Sequence, residues 1–240
     1  LSVEGVGKRF GGLKALDDVG FEVAAGEIVG IMGANGAGKT TLFSLIAGHQ
    51  RPSAGRIRFD GRDIAGLRAD AVNRLGIART FQIVRPFRAM TVRENVTIGA
   101  LFGAGADDSL AVAARDAAAI LAELGLPDEA DKPAGALTLS GQKRLEIARA
   151  LATKPRLLLL DEVMAGLTPT EVSAAIATIC AIHERRQLTI LVIEHVMSAL
   201  MQLGSRIVVL HHGLKIAEGT PAEIAASPVV QEAYLGKPAA

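Results

Sequence analysis

The sequence has no tryptophan, one tyrosine and only 3% aromatic residues. A protein that stacks bases needs aromatic platforms, so nucleic acid is not an expected partner. Its formal net charge of +1 gives no field to steer DNA or an anionic lipid surface. It has one cysteine, Cys180, which excludes an internal disulfide and suits a reducing cytosol. Cys180 falls on the stripe Val172, Ala175, Ile176, Ile179, which predicts a buried helix position rather than a reactive one. Half of the 240 residues are hydrophobic. Even so, no uncharged run approaches the roughly 18 residues that a membrane helix needs. The chain is expected to sit against a membrane protein at most, not to cross a bilayer itself. No signal-peptide pattern opens it. A length of 240 residues suits one large domain, or a core with a subdomain.

What is present is order in the apolar residues. Up to about Phe59 the chain reads as short strands: Val19, Phe21 and Val23 share a face, and Ile57 and Phe59 alternate with Arg56 and Arg58 before Asp60-Gly61, a hairpin signal. The runs 27–32 (EIVGIM), 157–160 (LLLL), 188–193 (LTILVI) and 206–210 (RIVVL) are continuously apolar, the mark of strands buried on both faces. Helical patterns at 172–183 and about 196–203 separate the later runs. Buried strands alternating with helices predict a parallel α/β sheet. From Pro86 to Lys154 no strand pattern is seen, and 108–124 reads as a helix with Leu110, Ala113, Ala117, Ile120 and Leu124 on one face. A helical insert (86–154) in an α/β core (1–85 and 155–240) is therefore expected. The C-terminal stretch reads as two short helices split at Pro228.

Chemistry is most legible in "GANGAGKTT" (33–41), between a buried strand and a helix. Gly33, Gly36 and Gly38 allow a tight turn in which the amides of Ala34, Asn35, Ala37 and their neighbours face inward on phosphates. Lys39 adds a cation, and Thr40, followed by Thr41, a hydroxyl for Mg²⁺. The strand "LLLLDE" (157–162) delivers Asp161, suited to Mg²⁺, and Glu162, suited to polarising an attacking water. Gln82 and His195 stand at comparable strand ends.

A further stretch, "LTLSGQKRLEIARAL" (137–151), reads as an amphipathic helix with Leu145, Ala148 and Leu151 inside. Lys143, Arg144, Glu146 and Arg149 lie between them. Ser140-Gly141 stands where the N-cap is expected.

These segments, in this order along nearly all of the chain, resemble the ATP-binding subunit of an ABC transporter. The likeness is closest to subunits of branched-chain amino-acid importers, through "RFGGLKALDDV" (9–19), "GIARTFQIVRPFRAMTVRENV" (76–96), "RLEIARALAT" (144–153), "AGLTPTE" (165–171) and "EGTPAEI…AYLG" (218–236). The resemblance implies a RecA-like P-loop NTPase core, an antiparallel β subdomain and an inserted helical subdomain. It implies ATP and Mg²⁺ as ligands. Phe10 would stack on adenine, Gln82 would touch Mg²⁺ and the attacking water, and His195 would contact the γ-phosphate. Two such chains would sandwich ATP between one P-loop and the other's signature segment, which includes Ser140, Gly141 and Gln142. Membrane-spanning permease subunits, a second ATPase subunit and, indirectly, a solute-binding protein would be partners, at the cytoplasmic face of the inner membrane.

The chain departs from the family at three places. Val163 replaces a usual proline. Thr168 stands where aspartate is common. The signature lacks a glycine: counted back from "RLEIAR" without a gap, Thr138 falls on its serine and Leu139-Ser140 on its two glycines. With one deletion, Ser140-Gly141-Gln142 falls on Ser-Gly-Gln. Other readings of the P-loop fare worse. A GTPase lacks its Asn-Lys-x-Asp reader here, a kinase its acceptor site, and a DNA-acting or translational ABC ATPase its coiled coil or second P-loop. Export rather than import is opposed only by the block around Gln82. His211-His212 reads as an exposed hairpin turn with the two rings on opposite faces. Arg74, Arg79, Arg85, Arg88 and Arg93 read as a solvated face or the rim of a groove for a permease helix.

Overall fold

The computed structural model describes residues 1–104, 109–195 and 197–235. Asp108 and Val196, at which two expected helices open, and Gly236 lie outside these residues. In chain order the strands are β1 (Ser2–Phe10), β2 (Leu13–Glu22), β3 (Ile28–Met32), β4 (Ala54–Phe59), β5 (Arg62–Asp63), β6 (Ile77–Arg79), β7 (Leu157–Asp161), β8 (Thr189–Ile193), β9 (Arg206–His211) and β10 (Leu214–Gly219). The helices are α1 (Lys39–Ile46), α2 (Ala69–Arg74), α3 (Val92–Phe102), α4 (Leu110–Glu123), α5 (Leu139–Ala152), α6 (Pro169–Arg186), α7 (Met197–Leu203), α8 (Pro221–Ala226) and α9 (Pro228–Leu235). The chain folds as two compact units. One is Leu1–Ala69 with the chain from Thr189 onward, and the other is Asp70–Leu188.

In the first unit β3 is buried along its whole length, as its uninterrupted apolar run requires. β8 and β9 flank it in parallel, with Ile31 opposite Ile193 on one side and Val208 on the other. β10 returns antiparallel to β9. The turn between them holds His212 and Gly213 at φ 47 and 81. That left-handed turn ends the strand alternation at His211. The two imidazole rings therefore do not point to opposite faces: their centroids are 4.2 Å apart. Among the described residues no cluster of His, Cys, Asp or Glu is arranged to hold a metal.

The second sheet of this unit is antiparallel, in the order β2-β1-β4-β5. Val19, Phe21, Ile57 and Phe59 are buried, and Asp60-Gly61 turns the chain at φ 49 and 73, a pair of positive φ values that suits a tight hairpin.

In the second unit β6 and β7 pair in parallel, Arg79 opposite Leu159, and α3 packs against α4 and α5. α4 buries Ala113, Ala117, Ile120 and Leu121, while Leu110, expected on that face, is exposed in its first turn. Among the described residues no strand lies between Arg79 and Leu157. Capping boxes start α3 at Thr91/Glu94 and α6 at Thr168/Glu171, where each hydroxyl and carboxylate satisfy the other end's backbone donor. Cys180, expected to be buried on α6, is only half-buried. The packed stripe is Ile176, Ile179, Ile182. Its spacing of three turns it away from Cys180. Partial burial, helped by Glu184, still pushes the thiol's pKa up, which keeps it a thiol at neutral pH.

Candidate functional site

The phosphate loop lies in the first unit, at the C-terminal end of β3. Gly33 has no room for a side chain: a Cβ there would sit 2.6 Å from the Leu210 carbonyl oxygen and 2.8 Å from the Ala37 Cβ. Gly38 caps α1 at φ 104, and a Cβ there would meet the Ala15 carbonyl oxygen at 2.6 Å. The loop is thus pressed between β9 and the β1–β2 hairpin, with Ala34, Asn35 and Gly36 left exposed. The N-terminus of α1 opens directly behind it with no acid in its first turn and no side-chain cap, so the positive end of the helix faces the loop. Lys39 is buried, and its ammonium donates to the Gly33 and Ala34 carbonyls at 2.7 and 3.1 Å. Thr40 is exposed and Thr41 half-buried. A triphosphate lying on this loop would meet amides, a helix N-terminus and one cation.

Two other expected residues share that unit. Phe10 ends β1 at the tip of the hairpin, opposite Leu13. Its ring is 44% exposed and carries the Lys8 ammonium 4.9 Å from its centroid. An exposed ring on the hairpin that presses on the loop is free to take a flat base. His195 is exposed two residues beyond Ile193. Gly33 is two residues beyond Ile31, and Ile31 and Ile193 are register partners, so both leave adjacent strands at one level.

The carboxylates lie in the second unit, at the end of β7. Glu162 adopts φ 51, and its Oε2 accepts from Gln82 Nε2 at 2.6 Å. The register explains the meeting: Arg79 is opposite Leu159, and both side chains are three residues further on. Asp161 is 1% exposed. Its backbone amide donates to Thr80 Oγ1 at 3.0 Å, and its Oδ2 accepts from Arg79 Nη2 at 2.7 Å. Its Oδ1 is buried with no hydrogen-bond partner among the described residues. A buried anionic oxygen left unbonded is costly. It is also what a hard cation wants, since Mg²⁺ takes oxygen ligands.

Three residues here escaped the sequence reading. Arg79 reads from sequence, with four other arginines, as a solvated face or the rim of a groove. Its side chain is 7% exposed and paired with Asp161, so the solvated face is wrong, and it lines a cavity with Phe81 and Phe87. The signal lay in "GIAR": Ile77 and Ala78 are buried and open a short strand, too short for alternation to register. Lys143 and Glu146 were placed on the polar face of α5, yet they are 4% and 7% exposed. Nothing in the helix periodicity marks them, because both faces of α5 are covered.

The signature segment also differs from expectation. Ser140-Gly141 is not the N-cap. Thr138 is, with φ −61 and ψ 166, and its hydroxyl accepts from the Gly141 amide at 3.2 Å. Ser140 and Gly141 fall in the first turn, and Gln142 Nε2 folds back to the Leu137 carbonyl at 2.9 Å. The cap at Thr138 suits the ungapped count, in which Thr138 takes the serine position.

Residues 16–165 match the family described as ABC transporter. The chain belongs to that family. Residues 215–240 match a second description, branched-chain amino acid ATP-binding cassette transporter. The chain is 41% identical to the high-affinity branched-chain amino acid transport ATP-binding protein BraF of Pseudomonas aeruginosa, over 99% of this chain and 98% of that protein. Its structure superimposes on an ATP-binding cassette of an ABC transporter in its ADP conformation. The TM-score is 0.88 at 31% identity, with 98% of each chain covered. A dimeric post-hydrolysis cassette bound to ADP and Pi superimposes with TM-score 0.82 at 25% identity, over 92% of this chain and 98% of that one. The fold is that of a P-loop NTPase cassette, and this ABC ATPase binds and hydrolyses ATP. Among the described residues no helix is long and apolar enough to cross a membrane.

Proposed function

We propose that this ABC ATPase powers the import of branched-chain amino acids, working at the cytoplasmic face of the inner membrane on permease subunits fed by a solute-binding protein. The observation that carries the reading is Glu162 bonded to Gln82 at the end of β7, in a chain that aligns nearly end to end with a branched-chain amino-acid transport subunit.

In this reading Gly33 to Thr41 hold the phosphates of ATP, Phe10 stacks on adenine and His195 contacts the γ-phosphate. Glu162 takes the proton of the attacking water as general base, with Gln82 orienting that water. Asp161, Thr40 and Gln82 would hold Mg²⁺, whose part is to neutralise charge on the phosphates. Thr138 and Ser140, with Gly141 and Gln142, present the N-terminus of α5 to the ATP of a second ATPase subunit. The 86–154 segment is the helical subdomain that moves with Gln82.

The permease is proposed to dock on the second unit. A cavity of about 220 Å³ there is lined by Phe81, Phe87, Phe102 and Arg149, among others. Those three rings are 40%, 45% and 73% exposed. In a chain with seven phenylalanines, exposing three along one cavity marks a surface for an apolar partner.

The test is reconstitution. The complex is rebuilt in vesicles with its permease and binding protein, and uptake of labelled leucine, isoleucine and valine is followed. ATP-dependent uptake that Glu162→Gln abolishes is the expected result. Uptake of some other solute class by the same vesicles, and none of these, overturns the substrate assignment.

A further inference from the structure

Lys143 and Glu146 lie one turn apart on α5, on one face, and both are buried. Burying an ammonium or a carboxylate is costly before its bonds are counted, and apolar residues of similar volume usually pack as well or better. Stability alone therefore gives no reason for two ionisable side chains here. What the two groups touch does. Lys143 Nζ donates to the carbonyl oxygens of Gln82 and Glu162, each at 3.0 Å. Glu146 Oε1 accepts from the Phe81 amide at 3.1 Å. One turn of α5 thus grips three backbone atoms, two from the Gln82 loop and one from the end of β7.

The grip falls where the backbone needs it. Glu162 is a non-glycine residue at φ 51, a left-handed conformation that a side chain disfavours and that persists only where its surroundings impose it. Lys143 holds the carbonyl of that residue. The same ammonium ties it to the carbonyl of Gln82, whose side chain is 2.6 Å from Glu162 Oε2. The Gln82–Glu162 pair is therefore closed twice, once through side chains and once through Lys143 between backbones.

We infer that Lys143 and Glu146 are positioning residues, which from the helix carrying the signature segment set the Gln82 loop against Glu162 for ATP hydrolysis. The inference rests on the proposed roles of Gln82 and Glu162.

Steady-state ATPase activity, equilibrium ATP binding and thermal melting of the purified protein test it. Lys143→Met keeps length and loses the donor. Its kcat should fall about 10–100-fold, the scale of a misplacement near 1 Å, while ATP affinity stays within about threefold. Glu146→Leu should lower kcat about tenfold, and Glu146→Gln, whose amide oxygen can still accept from Phe81, should recover most of that loss. Adding Lys143→Met to Glu162→Gln should cost nothing further, because the two act through one group. An unchanged kcat in Lys143→Met overturns the inference. So does a loss of kcat matched by equal losses of ATP affinity and melting temperature. If Lys143→Met does not fold, equal activities of Glu146→Leu and Glu146→Gln overturn it instead. Failure of the wider reading looks different: there the wild type itself would show no ATPase that Glu162→Gln removes.

Discussion

A single arginine shows how much one side chain settles. Arg79 is buried against Asp161 and bonds one oxygen of a carboxylate whose other oxygen has no partner among the described residues. Removing one partner of a buried pair strands the other's charge. Arg79→Met should therefore cost about 3–5 kcal/mol of stability, read as a shift of the denaturant midpoint. A change under about 1 kcal/mol would mean that Asp161 does not need the arginine. Lys39 makes the opposite case. Its ammonium bonds two loop carbonyls, so Lys39→Ala should weaken equilibrium ATP binding directly, by removing a cation from a triphosphate site. Unchanged binding would count against the phosphate loop as assigned.

At the level of elements, the start of α5 separates two roles that one sequence position had been asked to fill. The cap belongs to Thr138, so Thr138→Ala should lower stability by about 0.5–2 kcal/mol. Ser140 sits inside the first turn and makes no cap, so Ser140→Arg should leave melting close to wild type. It should instead obstruct close approach of a partner's nucleotide. In a Glu162→Gln background it should bind ATP with near-normal affinity yet form no ATP-dependent dimer by sedimentation. Intact dimerisation would reduce the segment to a capped helix. The other caps were legible as local chemistry. Thr168 and Thr220 each stand three residues before a glutamate and one before a proline, and both start helices as that pattern directs.

Across the whole molecule, hydrolysis and pH give the broadest tests. Glu162→Gln should slow ATP hydrolysis by about 10²–10⁴-fold if the carboxylate acts as general base. It should also hold an ATP-bound dimer that the wild type does not accumulate. Hydrolysis within a few-fold of wild type would remove Glu162 from that role. Glu146 links pH to folding. Burial pushes its pKa from 4.5 up to about 7, against the opposing pull of the Phe81 amide, Lys143 and Arg149. A carboxyl whose folded pKa is raised stabilises the fold when protonated. The contribution is full below about pH 4.5 and is lost as pH rises through 7. Relative to Glu146→Gln, the wild type should lose on the order of 2 kcal/mol across that window. Parallel stability curves for the two proteins would show that Glu146 ionises freely.

Local sequence decided whatever depends on neighbours along the chain. The run 28–32 had to be a buried strand because no polar residue interrupts it. Gly33 and Gly38 had to be glycines because the loop turns against backbone, and "GANGAGKTT" carries that turn in its own spacing. The carboxylates of "LLLLDE" were equally visible, because a strand end presents its last side chains wherever it packs. What sequence could not decide was which polar residues end up dry. Lys143 and Glu146 looked like the wet face of an amphipathic helix, and Arg79 like one of five exposed arginines. Burial is a property of what packs against a residue, and here the covering elements, the Gln82 loop and β7, come from distant parts of the chain. The left-handed turn at Glu162, its tie to Gln82 and the buried pairing of Asp161 exist only once β6, β7 and α5 meet. Their bonds are made across separations of about 20 to 80 residues, where no periodicity reaches.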